Sequence, residues 1–364
     1  MNTTLITAQY TTQHDRPAAA WCQTPDYGQP PADTSFSLPG FIRKDVFKEL
    51  AARLWKGHSS GRRQFVERRL SDALGRPADT IVLGDSVVSL LGQLLDTLSS
   101  CIPAAVVVKP SVSVVRELAE DASLAVYEWP LTDDFGYHEA LFPELPTRAV
   151  VVLAAPDPVV GAAIPDKTLL RLLAQYPDNY FVIDESHALA PADSLLAMTR
   201  QHTNLILLRS FTVAGTTLGY AVAETALSAA LRANLPAFSL SHVSELVLDG
   251  LLTAGLRQEC LQSQLNLVAQ RRNRFYEQLN ALLSPTFQVT NTRSNFVLIS
   301  GYDRATYQLL LRVTESLGLV VRDLHQARQV RYTIQIPVRR TDENDWLVNR
   351  LAEAMAPFDM LLFM

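Results

Sequence analysis

Cysteine is scarce in this chain. Three cysteines occur among 364 residues, at positions too far apart to suggest pairing: Cys22, Cys101 and Cys260. Disulfide frameworks and zinc sites need cysteine and histidine at close, repeated spacings. We therefore expect a reducing compartment, small buried thiols and no metal site.

Long apolar runs, basic clusters and an apolar leader are also missing. The longest apolar runs, such as residues 149–155, are far shorter than the roughly 20 residues that cross a bilayer. The first residues show no basic start followed by an apolar stretch, so no signal peptide is expected. The net charge of −5, without a basic patch, argues against nucleic-acid or membrane partners. We predict a cytoplasmic protein.

Apolar residues are abundant, at 48% of the chain, which is enough for a sizeable core. From about residue 80 to 223, short apolar runs alternate with helical patterns, which is typical of a parallel sheet covered by helices on both faces. We predict an α/β fold with an N-terminal arm (1–40), a large domain with a mainly parallel sheet (41–255) and a smaller α+β domain (256–364). Residues 41–75 have the alternative of packing with the small domain.

Polar residues follow three of the predicted strands. They are the Asp-Glu-Ser-His sequence at 184–187, the tight turn at 156–161 and the Ser-Phe-Thr sequence at 210–212. Ligands of an open parallel sheet bind beyond the carboxyl ends of its strands. The stretch 204–223, where two apolar runs flank a turn rich in serine, threonine and glycine, is therefore expected to form the centre of the site.

Five segments together resemble a known family: residues 153–165 (LAAPDPVVGAAIP), 181–187 (FVIDESH), 209–223 (RSFTVAGTTLGYAVA), 294–296 (SNF) and 329–333 (QVRYT). In this order they resemble the fold-type I aminotransferases of class I/II, which depend on pyridoxal phosphate (PLP), most closely the histidinol-phosphate aminotransferase branch. The first three resemble that family's Asn-Pro-Asn-Asn-Pro-Thr-Gly segment, its strand ending in Asp-Glu, and its Ser-x-Ser-Lys loop with the strand after it. The resemblance runs from about Phe41 to the C-terminus and implies that architecture and a dimer.

One residue that the family's chemistry requires is missing. PLP enzymes hold the cofactor aldehyde as a Schiff base on a lysine, which also moves the proton in transamination. The resemblance places this lysine in the loop after residue 210, where Val213 occupies its column or the column falls in a deletion. Valine can form no imine and carry no proton. All five lysines precede that loop: Lys44, Lys48, Lys56, Lys109 and Lys167.

Further cofactor contacts differ from the family pattern. Thr217 stands where an arginine would clamp the phosphate of PLP. Val87 stands where a small or hydroxyl residue would cup that phosphate, although Ser86 is adjacent. The asparagine that would bond the pyridine hydroxyl is replaced near Pro158, and the tyrosine after Asp-Glu-x is His187. These losses argue against PLP, the only cofactor that the resemblance implies.

Other contacts are retained. The resemblance assigns Asp184 to the pyridinium nitrogen, Thr212 to the phosphate and Arg331 to the substrate carboxylate, with Asn295 a further candidate for substrate binding. Two of these residues have a structural alternative, a cap of the next segment for Asp184 and an ion pair for Arg331.

His187 and Glu185 are the remaining candidates for chemistry. His187 is either a packed, hydrogen-bonded histidine or a new acid/base beside Asp184 and Glu185. A metal site formed by the three is not favoured, because alternate residues of a strand face opposite sides of the sheet.

Three functions remain open. The first is a non-catalytic member of the family that binds a small amino or keto acid, as a homodimer or beside a lysine-bearing homologue. The second is an enzyme with altered chemistry in the inherited cleft, using His187 with Asp184 or Glu185. The third is an aminotransferase with a relocated lysine, such as Lys56 or Lys109.

Overall fold

The computed structural model describes residues 62–145, 148–188, 195–211, 218–236, 240–253, 258–319, 321–325 and 330–362. The predicted arm (1–40) and three residues of the loop after residue 210, Thr212, Val213 and Thr217, lie outside the described residues. Among the described helices, none is both long and apolar enough to cross a membrane.

Helices and strands alternate through the first part of the described chain. In chain order they are α1 (Arg62–Leu74), β1 (Ile81–Gly84), α2 (Val87–Ser99), β2 (Ala104–Lys109), α3 (Ser113–Asp121), β3 (Ala125–Pro130), β4 (Ala149–Ala154), α4 (Asp166–Gln175), β5 (Tyr180–Asp184), β6 (Leu205–Ser210), β7 (Gly219–Val222), α5 (Thr225–Asn234) and α6 (His242–Thr253). Short 3₁₀ turns occupy Ala78–Thr80, Glu139–Leu141 and Leu195–Arg200.

The second part contains a smaller set of elements. They are α7 (Gln258–Leu283), β8 (Phe287–Asn291), β9 (Phe296–Gly301), α8 (Arg304–Ser316), β10 (Arg322–Asp323), β11 (Thr333–Pro337) and α9 (Thr341–Leu362).

The first seven strands form one sheet in the order β1-β7-β6-β5-β4-β2-β3. Strands β3, β2, β4, β5 and β6 pair in parallel, as the alternating pattern predicts. Strand β7 runs antiparallel between β6 and β1. It can do so because the segment between Ser210 and Gly219 is too short to hold the crossover that a parallel neighbour would need. The prediction of a mainly parallel sheet is confirmed.

Both faces of this sheet are buried, which explains the continuous apolar runs. Along each central strand, successive side chains enter opposite cores. Val151 and Ile183 pack into one core, and Val150 and Val182 into the other. Helix α2 covers the second face with leucines at helical spacing, and these are fully or almost fully buried.

The last four strands form an antiparallel sheet in the order β10-β11-β9-β8. Helices α7, α8 and α9 bury one apolar face against it, through side chains that include Phe275, Tyr307 and Leu351. A smaller α+β unit is therefore present, as predicted. Strand β11 begins only at Thr333, because Tyr332 adopts a left-handed backbone conformation (φ 51°) that interrupts the extended chain before it.

The loop after β4 joins the two sheets. Val159 and Val160 are buried in a small cluster with Phe296, Leu298, Leu324 and Val330 of the second sheet and its loops. The amide of Gln335 donates to the carbonyl oxygen of Pro158 (3.1 Å), and Arg293 N–H donates to Gly161 O (3.2 Å). The loop after β4, which lies in the family-like segment 153–165, is thus held by contacts with residues of the second sheet and its loops.

Candidate functional site

The carboxyl ends of the parallel strands meet at one edge of the large sheet. Strand β1 has the same direction as β6, because both are antiparallel to β7. Ala154 and Asp184 are direct neighbours in register, and Leu208 is the neighbour of Asp184 on the other side. The polar residues that follow β4 and β5 are therefore brought to this edge, as the sequence predicts, and so are those that follow β1 and β2.

Ser86 begins α2 at this edge. Its hydroxyl oxygen accepts a hydrogen bond from Ser89 N–H (2.9 Å), so it acts as the helix N-cap. The N-terminus of α2 lies against β7. A Cβ added to Gly219 would lie 2.7 Å from Val87 Cγ2 and 3.0 Å from Val87 N. Glycine is needed there because the strand approaches the helix end so closely.

Asp184 ends β5 and is half-buried. Its Oδ1 accepts hydrogen bonds from Ser186 N–H (2.8 Å) and from the Ser186 hydroxyl (2.5 Å). These bonds close the turn after the strand, which is the capping geometry that the structural alternative expects.

Glu185 is deeply buried, with 1% of its side chain exposed. Its Oε2 lies 3.3 Å from Arg209 Nε, and its Oε1 accepts from Leu195 N–H (2.7 Å). Tyr220 adjoins this ion pair. Burial raises the pKa of the Tyr220 hydroxyl, while the charge of Arg209 opposes that shift. Glu185 thus ties β5 to β6 and to the turn at residue 195, and its carboxylate is engaged on both oxygens.

His187 is exposed at the same edge. The charge of His187 interacts electrostatically with Asp157, in the loop after β4. Burial raises the pKa of Asp157 above its usual range, and hydrogen bonds from Ser111, Val160 and Val159 and the charge of His187 oppose that shift. His187 therefore shares its surroundings with Asp157 as well as with the turn that it follows.

Ser111 and Tyr137 are site-edge residues that the sequence did not indicate, and both interact with Asp157 of the predicted turn at 156–161. Asp157 is 1% exposed and accepts from Ser111 Oγ (2.7 Å), Val159 N–H (2.7 Å) and Val160 N–H (2.9 Å). The Tyr137 hydroxyl is buried without a hydrogen-bond partner, and burial together with the Asp157 charge raises its pKa. The position of Ser111 after β2 could have revealed it; no pattern distinguishes Tyr137.

Arg331 and Asn295 lie in the smaller sheet region. Arg331 is exposed, and its guanidinium lies 5.3 Å from the ring centre of Tyr332. Within the described chain it forms no ion pair, so the structural alternative for Arg331 finds no support there. Asn295 is half-buried, and its backbone carbonyl accepts from Val338 N–H (2.8 Å). Val330, next to Arg331, packs on the loop after β4.

The two described lysines are exposed, and one has a partner. Lys109 ends β2, and its Nζ lies 3.1 Å from Glu128 Oε2 on the neighbouring strand. Lys167 lies in the first turn of α4. In the described ranges, no three histidine, cysteine or acidic side chains cluster as metal ligands do.

The described residues fit PLP incompletely. The half-buried carboxylate of Asp184 and the N-terminus of α2 are groups that could face a pyridinium ring and a phosphate. Pro158, in contrast, offers no side-chain donor, and its carbonyl is used by Gln335. No lysine follows residue 167 in the sequence. The residues present therefore support no reaction step through the cofactor.

Comparison with known proteins agrees with this geometry. The profile described as "Aminotransferase class I and II" matches residues 28–351. The histidinol-phosphate aminotransferase of Thermococcus gammatolerans is 24% identical over 329 residues, which cover 88% of this chain and 89% of that protein.

Two solved structures share the fold. The L-threonine-O-3-phosphate decarboxylase of Porphyromonas gingivalis superposes with a TM-score of 0.72 at 16% identity, over 89% of this chain and 98% of that one. The histidinol-phosphate aminotransferase of Sinorhizobium meliloti, in complex with pyridoxal-5'-phosphate, gives 0.70 at 20% identity, over 88% of both chains. With the family profile covering most of its length, this chain belongs to the class I and II aminotransferase family.

Proposed function

We propose that this chain is a class I/II aminotransferase-family protein that does not carry out lysine-dependent PLP transamination. The observation that carries the proposal is the absence of lysine from residue 168 to residue 364. The loop after β6, where the family resemblance expects the Schiff-base lysine, lies inside that range. No other side chain in the range can form the imine and return the proton.

The described charges at the carboxyl edge support the same view. Lys109, the described lysine that ends a strand, is exposed, and its Nζ is paired with Glu128 on the surface of the neighbouring strand. Glu185 is bound to Arg209, and Asp184 caps its turn. These contacts stabilise the fold around the cleft and leave few groups for catalysis.

The function that we propose instead is binding of a small amino or keto acid. Arg331 supports this, because its guanidinium is exposed and without an ion-pair partner in the described chain, and arginine binds carboxylates through two parallel hydrogen bonds. We propose a cytoplasmic homodimer, or a dimer with a lysine-bearing homologue in which this chain is the non-catalytic subunit.

The first experiment is a titration of the purified protein with PLP, followed by absorbance. We expect no internal-aldimine band, whereas a lysine-bearing histidinol-phosphate aminotransferase measured in parallel shows one. A stable band would instead support a relocated lysine, and Lys109→Met and Lys56→Met would identify which lysine is responsible.

The second experiment tests the ligand. Thermal melting with a panel of amino acids and 2-keto acids should show stabilisation that Arg331→Ala abolishes. Arg304→Ala, which changes an exposed arginine at the start of α8, is the matched control. A panel without any response, or a response that survives Arg331→Ala, contradicts the proposed site. A pull-down with a tagged chain tests for the homologous partner.

An altered chemistry in the same cleft is the second candidate. The observation that favours it is His187, exposed beside the buried Asp157 carboxyl, whose pKa is raised by burial. Such a pair offers a base and an acid at the same edge. Turnover of a panel compound, lost in His187→Gln and retained in His202→Gln, would support it.

A further inference from the structure

Arg76 is a buried cation that has no counter-ion among the residues that the structure describes. It follows α1 and precedes the 3₁₀ turn that leads into β1, so it lies at the amino edge of the large sheet, opposite the candidate site. The residue is 7% exposed, and its Nε is buried without a hydrogen-bond partner. Within the described chain Arg76 forms no ion pair.

A second arginine lies beside it. Arg200 ends the 3₁₀ turn that leads into β6, and its Nη2 donates to the carbonyl oxygen of Gly75 (2.6 Å). The Arg200 guanidinium therefore lies against the peptide group that joins Gly75 to Arg76. Gly75 itself has a left-handed conformation (φ 59°), which turns the chain at the end of α1.

The two arginines repel each other, and burial adds to the cost. Burial lowers the pKa of Arg76, and the charge of Arg200 lowers it further. The acidic residues nearest in sequence, Asp72 and Asp79, are both exposed and make no ion pair with Arg76. Buried charges in proteins are usually paired, because an isolated one is expensive to remove from water.

Three half-buried arginines of the described chain, by contrast, have partners. Arg69 lies 2.9 Å from Asp249, and Arg209 lies 3.3 Å from Glu185. Arg232 donates to the carbonyl oxygens of Ala78 and Asp79. Arg76 differs from all three, since the described part of the chain offers its guanidinium neither a carboxylate nor carbonyl oxygens.

We propose that Arg76 and Arg200 form a binding site for a small oxyanion, a phosphate or carboxylate group, at the amino edge of the sheet. Two guanidinium groups that approach from the loops before β1 and β6 can each give two parallel hydrogen bonds to such a group. The anion would pair the buried charge and remove the repulsion between the arginines. The site is separate from the cleft and does not depend on the function proposed for it.

The test is thermal melting of the full chain with inorganic phosphate at constant ionic strength, repeated with acetate. We expect the wild type to be stabilised in a saturable way, because a ligand that binds only the folded state raises its stability. Arg200→Gln should weaken the apparent affinity for the anion about tenfold to a hundredfold, the range for a lost charged hydrogen bond. Arg350→Gln, which removes an exposed arginine paired with Glu353, should leave it unchanged.

A second variant gives an effect of opposite sign. Arg76→Met should melt at a higher temperature than the wild type in anion-free buffer, because it removes an unpaired buried charge, and should no longer respond to the anion. A response to phosphate or to acetate that is lost in both variants supports the site and identifies the anion. No response in the wild type, a response that survives both variants, or a lower melting temperature of Arg76→Met in anion-free buffer would overturn it.

Discussion

The two edges of the large sheet differ in whether their buried charged side chains have partners within the described chain. At the carboxyl edge, Glu185 is paired with Arg209, Asp157 accepts three hydrogen bonds, and Lys109 is paired with Glu128. At the amino edge, Arg76 is buried beside Arg200 and forms no ion pair with any residue that the structure describes. At the first edge these charges are paired within the chain, which supports the proposal that the cleft does not carry out PLP chemistry. At the second edge, the described residues provide no carboxylate partner for Arg76.

The largest effect should come from breaking the ion pair at the carboxyl edge. Glu185→Ala leaves Arg209 without its carboxylate and should lower the free energy of unfolding by about 3–5 kcal/mol. Urea denaturation measures this. The control is Glu353→Ala, an exposed partner of Arg350, for which about 0–1 kcal/mol is expected. Equal effects of the two variants would show that the buried pair does not hold the edge together.

A smaller effect is expected where β7 meets α2. Gly219→Ala places a methyl group within 3.0 Å of Val87 N and 3.1 Å of Arg209 O, so backbone must move. We expect a loss of about 1–3 kcal/mol in the free energy of unfolding. Gly92→Ala, in the middle of α2, meets only the end of the Leu118 side chain and should be close to neutral or stabilising. A neutral Gly219→Ala would mean that the helix end and the strand are not held as closely as described.

Because of the buried Asp157 carboxyl group, we expect the free energy of unfolding to depend on pH. Its folded-state pKa is raised, so the native state resists ionisation of this group. Its contribution to stability is therefore fully present below the unfolded-state pKa, about 4, and decreases as the pH rises toward the folded-state value. Asp157→Asn removes this dependence, so the stability of the variant relative to the wild type should increase as the pH rises from about 4 toward the folded-state pKa. A relative loss over that window, in unfolding free energies measured at several pH values, contradicts the shift.

The smallest effect belongs to Lys109. Its pair with Glu128 is on the surface, with 55% and 40% of the two side chains exposed. Lys109→Met should change the free energy of unfolding by less than about 1 kcal/mol. A large loss of stability, or a loss of PLP absorbance where the wild type has it, would give this lysine a role that its position does not suggest.

The sheet could be predicted from the sequence, because both of its faces are buried and each strand is a continuous apolar run. Strand β8 was not predicted: Phe287 and Val289 alternate with exposed or half-exposed polar residues over only five positions, a weak signal. The antiparallel direction of β7 was also beyond a pattern argument, since strand direction follows from the length of the preceding connection.

The site was harder to predict than the fold. The sequence indicated Glu185 as a candidate acid/base, but its partner Arg209 is on a neighbouring strand, and no local pattern reveals that contact. The same holds for Asp157 and Ser111, which are 46 positions apart and meet only because β2 and β4 are adjacent. The sequence shows which residue types follow each strand, whereas the contacts between these residues depend on the order of the strands in the sheet.

The most direct test of the central claim is the intact mass of the protein after incubation with PLP and reduction by borohydride, with peptide mapping of any adduct. The account predicts no stoichiometric phosphopyridoxyl group on any lysine, while a lysine-bearing histidinol-phosphate aminotransferase treated in the same way acquires one. A single, stoichiometric adduct on Lys56, Lys109 or another lysine would contradict the account.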